Sequence, residues 1–198
     1  MGKGRLEAFS DGVLAIIITI MVLELKVPHG DNLSEMQPLL PVFISYVLSF
    51  VNIGIYWNNH HHLMHAVHKI DGKIMWANMH LLFWLSLMPF ASGWMGENHF
   101  AGIPTALFGF DLLMSGVAYY LLARCLVTLH GKDSTLGKAV GKDRKGVVSV
   151  IIYAIAMALA CFNGWISLCL YGLVAVIWFV PDSRIEKKLV EDEERLIN

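Results

Sequence analysis

The sequence contains little charge. Only 16% of its 198 residues are Asp, Glu, Lys or Arg, whereas soluble domains average about 25%. Hydrophobic residues make up 56% of the chain, and the mean hydropathy is +0.57. The net charge of -1 gives no excess of positive charge to attract nucleic acid, so no nucleic-acid partner is expected. The charges fall in connecting segments between apolar runs, which indicates an integral membrane protein.

Cysteine is also scarce. Cys125, Cys161 and Cys169 lie in apolar runs and lack the spacing of metal ligands. They are expected to be small buried hydrophobic side chains. They predict neither a disulfide framework nor a thiolate metal site.

Six apolar segments are candidates for membrane spans. About 20 residues, rising 1.5 Å each, cross the roughly 30 Å of hydrocarbon in a bilayer. The last two segments are short, and the Asn163-Gly164 pair between them predicts a tight helical hairpin. The sequence therefore predicts an all-α integral membrane fold with six transmembrane helices, at about residues 8–25, 38–57, 74–94, 105–129, 147–162 and 165–180.

The distribution of Lys and Arg predicts the orientation of these spans. With six spans, all of the 15 Lys and Arg residues except Lys26 fall on one side of the membrane. Because short cytoplasmic loops carry the excess of positive charge, both termini are expected in the cytoplasm. Residues 1–181 are expected to form one six-span domain, and residues 182–198 a charged cytoplasmic tail. The expected localisation is the cell membrane, as a multi-pass protein surrounded by lipid.

The first span combines an apolar stripe with an acidic residue. At 100° per residue, Ile20 and Leu23 lie within about 40° of Ile16, and Thr19 lies about 60° from it. Asp11 lies about 140° away, on the opposite face. An acidic residue in a membrane helix is a candidate functional site, because burying it unpaired is costly. However, such a stripe is also typical of ordinary helix packing, and Ser10 with Asp11 is also typical of a helix N-cap.

Several histidines follow the second span, and one Asp lies in the fourth. Within His60–His68, three histidines at i, i+4 and i+7 are weak candidates for a metal site if they share a helix face. The alternative is a solvated helix end that is rich in histidine, and no metal site is predicted. Asp111 is expected to be solvated near the end of the fourth span, with a place in a polar network as the alternative. The three candidate metal ligands are His61, His65 and His68.

The first half of the chain resembles a known family. The pattern Arg5-x-x-x-Phe9-Ser10-Asp11, followed by Ile16, Thr19 and Leu23, resembles the signature of the transmembrane protein 175 family of potassium channels. The resemblance covers roughly residues 5–90, and the last three spans match mainly in hydropathy. The single six-span repeat is similar to that of prokaryotic members. Further residues at the family's spacing are Trp57, His60, Asn78 and Pro89.

This resemblance implies a potassium channel in which the first helices of a homotetramer line a central pore. The constriction would be formed by Ile16, Ile20 and Leu23, with the Thr19 hydroxyl assisting potassium selectivity over sodium. The sequence lacks the Thr-Val-Gly-Tyr-Gly filter, so the fold is not that of P-loop channels. No cofactor is implied, and potassium is the permeant ion. The resemblance also implies a network that positions the first helix, made of Ser10, Asp11, Trp57, His60 and Asn78, with Arg5 at its cytoplasmic end.

Two other functions fit the residue types. A proton or divalent-metal transporter would use Asp11 and the cluster His60–His68, but no span is broken by Gly or Pro at its middle and no inverted repeat is evident. An intramembrane hydrolase would use Ser10 as nucleophile, His60 as base and Asp11 as the residue that orients the base. Because Ser10 and Asp11 point about 100° apart on one helix, this geometry is unfavourable, and no enzyme activity is predicted.

Overall fold

The computed structural model describes residues 2–29, 31–131, 134, 136–137 and 144–179. These residues form α-helices and short 3₁₀ turns, and no strand occurs among them. The predicted tail, 182–198, lies outside the described residues. The α-helices are α1 (Lys3–Met21), α2 (Leu40–His65), α3 (Gly72–Glu97), α4 (Gly102–His130), α5 (Arg144–Ala160) and α6 (Gly164–Phe179).

The predicted all-α fold is confirmed, and each predicted span overlaps one helix. By length and composition, α1 to α4 are long and apolar enough to cross a membrane. The helices α5 and α6 have 17 and 16 residues and are joined by a three-residue turn, so they form the predicted hairpin. The side of the membrane on which the termini lie stays a prediction.

Two boundaries differ from the prediction in ways that affect the candidate site. The α-helical part of the first span ends at Met21, and Val22–Glu24 continues as a 3₁₀ turn. Leu23 therefore lies on a tighter winding of about three residues per turn. In addition, α2 continues past Trp57 to His65, so polar residues that follow the apolar run are still helical. Hydropathy marks the apolar part of a helix and not its end.

Helix α3 lies at the centre of the bundle. It packs against α1, α2 and α4, while α4 also packs against α5, and α5 against α6. Helix α1 packs mainly on α3 and α2, so it lies at one side of the protomer. In the hairpin α5–α6, α5 packs on α4, and α6 contacts both α2 and α4. The buried core includes Leu14, Ile53, Leu85, Phe108 and Tyr171.

The α5–α6 hairpin is held against the turn between α3 and α4. In this turn His99 and Phe100 both have positive φ, and the Phe100 ring lies 4.5 Å from the Trp165 ring. A Cβ added to Gly164 would collide with the carbonyl oxygen of Phe100. Glycine at the start of α6 therefore permits the close approach of two backbones.

Replacing Gly164 with alanine should destabilise the protein, because the Phe100 backbone would have to move away from α6. We expect a loss of about 1–3 kcal/mol, as for other overpacked sites. The measurement is the melting temperature of the purified protein in detergent. Gly172→Ala is the matched control, since no atom lies within 4 Å of its added Cβ and it is in the same helix. Equal melting temperatures for the two variants would contradict the close approach.

The prediction that the cysteines are buried is wrong. Cys161 and Cys169 are exposed in the protomer, Cys125 is half-buried, and all three are free thiols. The physical reason is that lipid-facing and core positions of a membrane bundle are similarly apolar, because lipid tails are as apolar as leucine. An apolar sequence environment therefore does not distinguish the two positions.

Candidate functional site

Helix α1 has a face that packs on the protomer and a face that does not. The buried face is formed by residues three or four positions apart, which are Leu6, Ser10, Leu14, Ile17 and Met21. On the uncovered face, Ile16 is 58% exposed, Ile20 45% and Leu23 77%. The predicted apolar stripe is therefore not part of the protomer's own core, and a single copy of the chain leaves it without a partner.

Thr19 lies on the same uncovered face. Its side chain is exposed, and its Oγ1 hydroxyl donates a hydrogen bond of 2.9 Å to the carbonyl oxygen of Ile16, one turn earlier. This bond fixes the direction of the hydroxyl hydrogen along the helix. The Thr19 oxygen therefore stands next to Ile16 and Ile20 with its lone pairs turned away from the backbone.

Asn78 joins three helices inside the bundle. Its Nδ2 group donates to Ser10 Oγ of α1 at 2.9 Å, and its Oδ1 oxygen lies 2.8 Å from His60 Nε2 of α2. Because an amide oxygen only accepts hydrogen bonds, Nε2 of His60 carries the hydrogen. Ser10 in turn donates to the carbonyl oxygen of Leu6 at 2.8 Å. Ser10, His60 and Asn78 are at most 1% exposed, so this chain of bonds is enclosed by the helices.

Asp11 belongs to a second, separate contact. Its Oδ1 oxygen accepts a hydrogen bond of 3.0 Å from Nε1 of Trp57 on α2. Asp11 is half-buried and Trp57 is 47% exposed, so this contact lies at the edge of the helix pair. The structure thus brings together all five predicted network residues, but in two arms. Arg5 and Phe9 are exposed and lie outside both arms.

This geometry argues against the hydrolase alternative. Asn78 lies between Ser10 and His60, and the Ser10 hydroxyl donates to a backbone oxygen and not to an imidazole. Asp11 is bonded to Trp57 and does not orient His60. A nucleophile needs a base within hydrogen-bond reach, and none of the described contacts supplies one for Ser10.

The three weak candidates for a metal site do not share one helix face. Helix α2 ends at His65, so His68 lies in the turn that follows. The backbone N–H groups of His68 and Lys69 instead donate to Nε2 of His130, each at 3.3 Å, and attach this turn to the end of α4. The rings of His61 and His65 are 6.2 Å apart. Among the described residues, no group of three or more His, Cys, Asp or Glu side chains could hold a metal ion.

A charged cluster at the end of α1, made of Glu24, Lys26 and Glu97, was not predicted from the sequence. Lys26 Nζ lies 2.6 Å from Glu97 Oε1 of α3, and this hydrogen bond raises the pKa of Lys26 above its ordinary value. The Glu24 carboxylate approaches Gly93 of α3, at 3.2 Å from the position of an added Cβ. Beside these charges an open groove of about 700 Å³ runs between α1 and α3, with Ile16 and Ile20 on its wall. The sequence signal was the position of Lys26, alone on its side of the membrane.

Removing the hydrogen of the Trp57 indole should weaken the attachment of α1 to α2. In Trp57→Phe a smaller aromatic ring replaces the indole and the Asp11 carboxylate loses its donor, so we expect a loss of about 1 kcal/mol, small because the pair is half-exposed. The measurement is the melting temperature in detergent, with Trp76→Phe as control because Trp76 is 78% exposed. If the two variants have the same melting temperature, the contact between Asp11 and Trp57 does not stabilise α1.

Comparisons with known proteins agree with this arrangement. The family model described as "Endosomal/lysosomal potassium channel TMEM175" matches residues 5–89. A potassium channel of Chryseobacterium sp. (strain P1-3) is 54% identical, over 97% of this chain and 100% of that protein. The endosomal/lysosomal proton channel TMEM175 of Gallus gallus is 34% identical, over 46% of this chain and 21% of that protein.

A solved structure has the same fold. The crystal structure of a lysosomal potassium-selective channel TMEM175 homolog from Chamaesiphon minutus superposes with a TM-score of 0.79, at 25% sequence identity. The superposition covers 91% of this chain and 97% of the chain of the homolog. The family consists of ion channels and not of enzymes, and its several spanning helices place the protein in the cell membrane as a multi-pass protein. The chain belongs to the TMEM175 family of ion channels.

Proposed function

We propose that this protein is a channel selective for potassium over sodium, in which the α1 helices of a homotetramer surround a central pore. The observation that carries the proposal is the uncovered apolar stripe of α1, where Ile16, Ile20 and Leu23 are 45% to 77% exposed in the protomer. The opposite face of the same helix is bonded to α2 and α3. A helix with one fixed face and one unpartnered face is suited to line a pore shared between subunits.

The stripe supplies a constriction without charged groups. A narrow ring of isoleucine and leucine side chains loses its water unless it widens, so it can gate conduction by dewetting. An ion that passes such a ring must release part of its water. Potassium holds its water less strongly than sodium, which favours potassium. The Thr19 oxygen offers a polar contact next to the ring.

The polar network would act by positioning α1. Ser10 and Asn78 join α1 to α3, and Trp57 joins α2 to Asp11 of α1. Buried polar groups in a membrane need partners, and these residues supply them to each other, except at Nδ1 of His60, which has none among the described residues. We therefore assign Ser10, Asp11, Trp57, His60 and Asn78 as positioning residues. Residues 1–181 would be the channel domain, with both termini in the cytoplasm.

A proton channel is the second candidate. It is favoured by the vertebrate relatives, which are named endosomal/lysosomal proton channels. A divalent-metal transporter has less support, because His68 is not on the helix that carries His61 and His65.

The test is the reversal potential of the purified protein in liposomes or planar bilayers under opposed potassium and sodium gradients. A potassium channel shifts the reversal potential towards the potassium equilibrium value, and protein-free bilayers are the control. A current that appears only under an imposed pH gradient would show that the permeant ion is the proton and not potassium. Absence of current under every gradient, from protein with an intact melting transition, would contradict a channel. Native mass spectrometry of the same sample tests the tetramer.

A further inference from the structure

A cavity of about 340 Å³ lies between α2, α4 and the α5–α6 hairpin. Helix α2 packs on α3 and α6, and α4 packs on α3, α5 and α6, but α2 and α4 do not pack closely on each other. Tyrosine side chains reach across the gap between these two helices. The Tyr119 hydroxyl donates to the Asn59 carbonyl oxygen at 3.2 Å, and the Tyr56 and Tyr119 rings are 6.1 Å apart. The space that remains beside these tyrosines is the cavity.

The wall of the cavity is mostly apolar. Its polar side chains include Asn52, whose Nδ2 group donates to the Leu48 carbonyl oxygen of its own helix at 2.9 Å. They also include Trp178 and Ser149, and Nε1 of Trp178 donates to Oγ of Ser149 at 2.8 Å. A buried water needs about two to four polar partners, and a wall whose polar groups are bonded to the protein offers few. The cavity is therefore better suited to a hydrocarbon chain than to water.

The cavity is short and opens at the outer surface of the protomer. Its lining on α2, α4 and α5 falls within residues 52–59, 113–120 and 146–153. Seven rises of 1.5 Å give each of these stretches a length of about 10 Å. This is less than half of the roughly 30 Å of hydrocarbon in a bilayer, so the cavity fits within one leaflet. On its wall Ile151 of α5 is exposed, whereas Val174 of α6 is buried, so a lipid chain can enter from the outer surface.

The opposite side of α4 is buried in the bundle and does not contribute to the cavity. Asp111 lies about 160° around the helix from Leu113, which lines the cavity. It is 3% exposed, and neither of its carboxylate oxygens has a hydrogen-bond partner among the described residues. The prediction that Asp111 is solvated at a helix end is therefore wrong. The described residues that line the cavity include no Asp or Glu.

Two basic residues lie at the end of the cavity where α5 begins. The guanidinium carbon of Arg124 is 5.9 Å from the centre of the Tyr120 ring, which lines the cavity one turn earlier on α4. Lys145 is in the first turn of α5, next to Gly146 of the lining. The distribution of Lys and Arg predicts that this end faces the cytoplasm. The cytoplasmic leaflet carries anionic lipids, and basic pockets between membrane helices bind their headgroups.

We propose that an anionic phospholipid binds at this cavity, with one acyl chain inside it and the phosphate at Arg124 and Lys145. A guanidinium group can donate two parallel hydrogen bonds to a phosphate, and an ammonium group adds a second positive charge. The acyl chain would fill the space that α2 and α4 leave between them, so the lipid would join α2 to the α5–α6 hairpin. A neutral lipid with the same chains would lack the attraction to the two cations.

The test is the melting temperature of the full-length protein in phosphatidylcholine nanodiscs in which an increasing share of the lipid is phosphatidylglycerol with the same acyl chains. For the wild type we expect a saturable rise of about 5 °C, because a ligand that binds the folded state stabilises it. Gly116→Leu should lose most of this rise, since its side chain would occupy the cavity. The variant should fold, because the nearest atom to its added Cβ is the Tyr56 hydroxyl at 3.6 Å. Gly172→Leu is the matched control, since Gly172 is outside the lining and no atom lies within 4 Å of its added Cβ.

Two double variants test the recognition of the headgroup. Arg124→Gln with Lys145→Gln removes two positive charges at the cavity and should lose most of the rise. Lys69→Gln with Lys73→Gln removes two exposed positive charges near the turn between α2 and α3 and should keep the full rise. The proposal is overturned if Gly116→Leu keeps the rise, because the lipid then binds elsewhere, or if the two double variants lose it equally. It is also overturned if the wild type shows no rise, which would leave the cavity to a neutral lipid or a neighbouring subunit. None of these results depends on whether the protein conducts potassium.

Discussion

Replacing Ile16 with asparagine should increase the potassium current about tenfold and reduce the preference for potassium over sodium. An amide in the apolar ring holds water, so the closed state loses the dewetting barrier. A tenfold increase corresponds to a barrier lowered by about 1.4 kcal/mol. The wetted ring would also let sodium pass with more of its water retained. The measurement is the current and the reversal potential under opposed potassium and sodium gradients.

Ile151→Asn is the matched control for this variant. Ile151 lies on α5 and is 54% exposed, close to the 58% of Ile16, so the same chemical change is made at a similarly uncovered position. The current of this control should equal that of the wild type. If Ile16→Asn leaves both the current and the reversal potential unchanged, Ile16 does not line the pore, and the proposed role of the stripe is wrong.

Replacing Asn78 with alanine should have the largest effect on stability. The change removes the donor to Ser10 and the acceptor for His60 at once. The buried Nε2–H group of His60 is left without a partner, whereas Ser10 keeps only its bond to the Leu6 carbonyl oxygen. An unsatisfied buried group costs about 1–3 kcal/mol and a lost hydrogen bond about 1 kcal/mol, so we expect a loss of about 2–4 kcal/mol in total. For a chain of this size the melting temperature should fall by about 10 °C. Current should be lost as well, because α1 is no longer fixed against α3.

Asn59→Ala separates the network from the general effect of removing an amide. The Asn59 side chain is half-buried and its Nδ2 group donates only to the Ile55 carbonyl oxygen of its own helix, at 2.8 Å. Its removal should change the melting temperature by a few degrees at most and should leave the current unchanged. Normal stability and conductance in Asn78→Ala would show that the Ser10–Asn78–His60 chain does not position α1.

The six helices could be predicted because hydropathy reports which segments prefer lipid or core. Their ends could not, because His60 and His65 are polar and yet continue α2. For the second half of the chain, the sequence also did not predict which side chains face the interior of the bundle. Cys169 and Asp111 show this in opposite ways, since the apolar residue is exposed and the charged residue is buried. Packing between helices determines the exposure of both residues, and a single sequence does not show how the helices pack.

The members of the polar network followed from the family resemblance, but their connections did not. The resemblance grouped Ser10 and Asp11 with residues of the second and third spans, and the structure brings them together. Which atom bonds to which depends on helix rotation and side-chain length. Asn78 reaches both Ser10 and His60, whereas Trp57 bonds to Asp11. The groove and the charged cluster beside α1 depend on contacts between α1 and α3, and no sequence motif indicates these contacts.

The hydrogen bond from Thr19 to the Ile16 carbonyl has a consequence for anions. Because its hydrogen is directed into the helix, the hydroxyl presents only the negative end of its dipole to the space beside α1. In the proposed tetramer four such oxygens would face one another. Chloride would meet lone pairs and no hydrogen-bond donor, while a cation would meet partial negative charge. The discrimination against anions would then arise from the backbone geometry of one helical turn, without any acidic side chain in the ring.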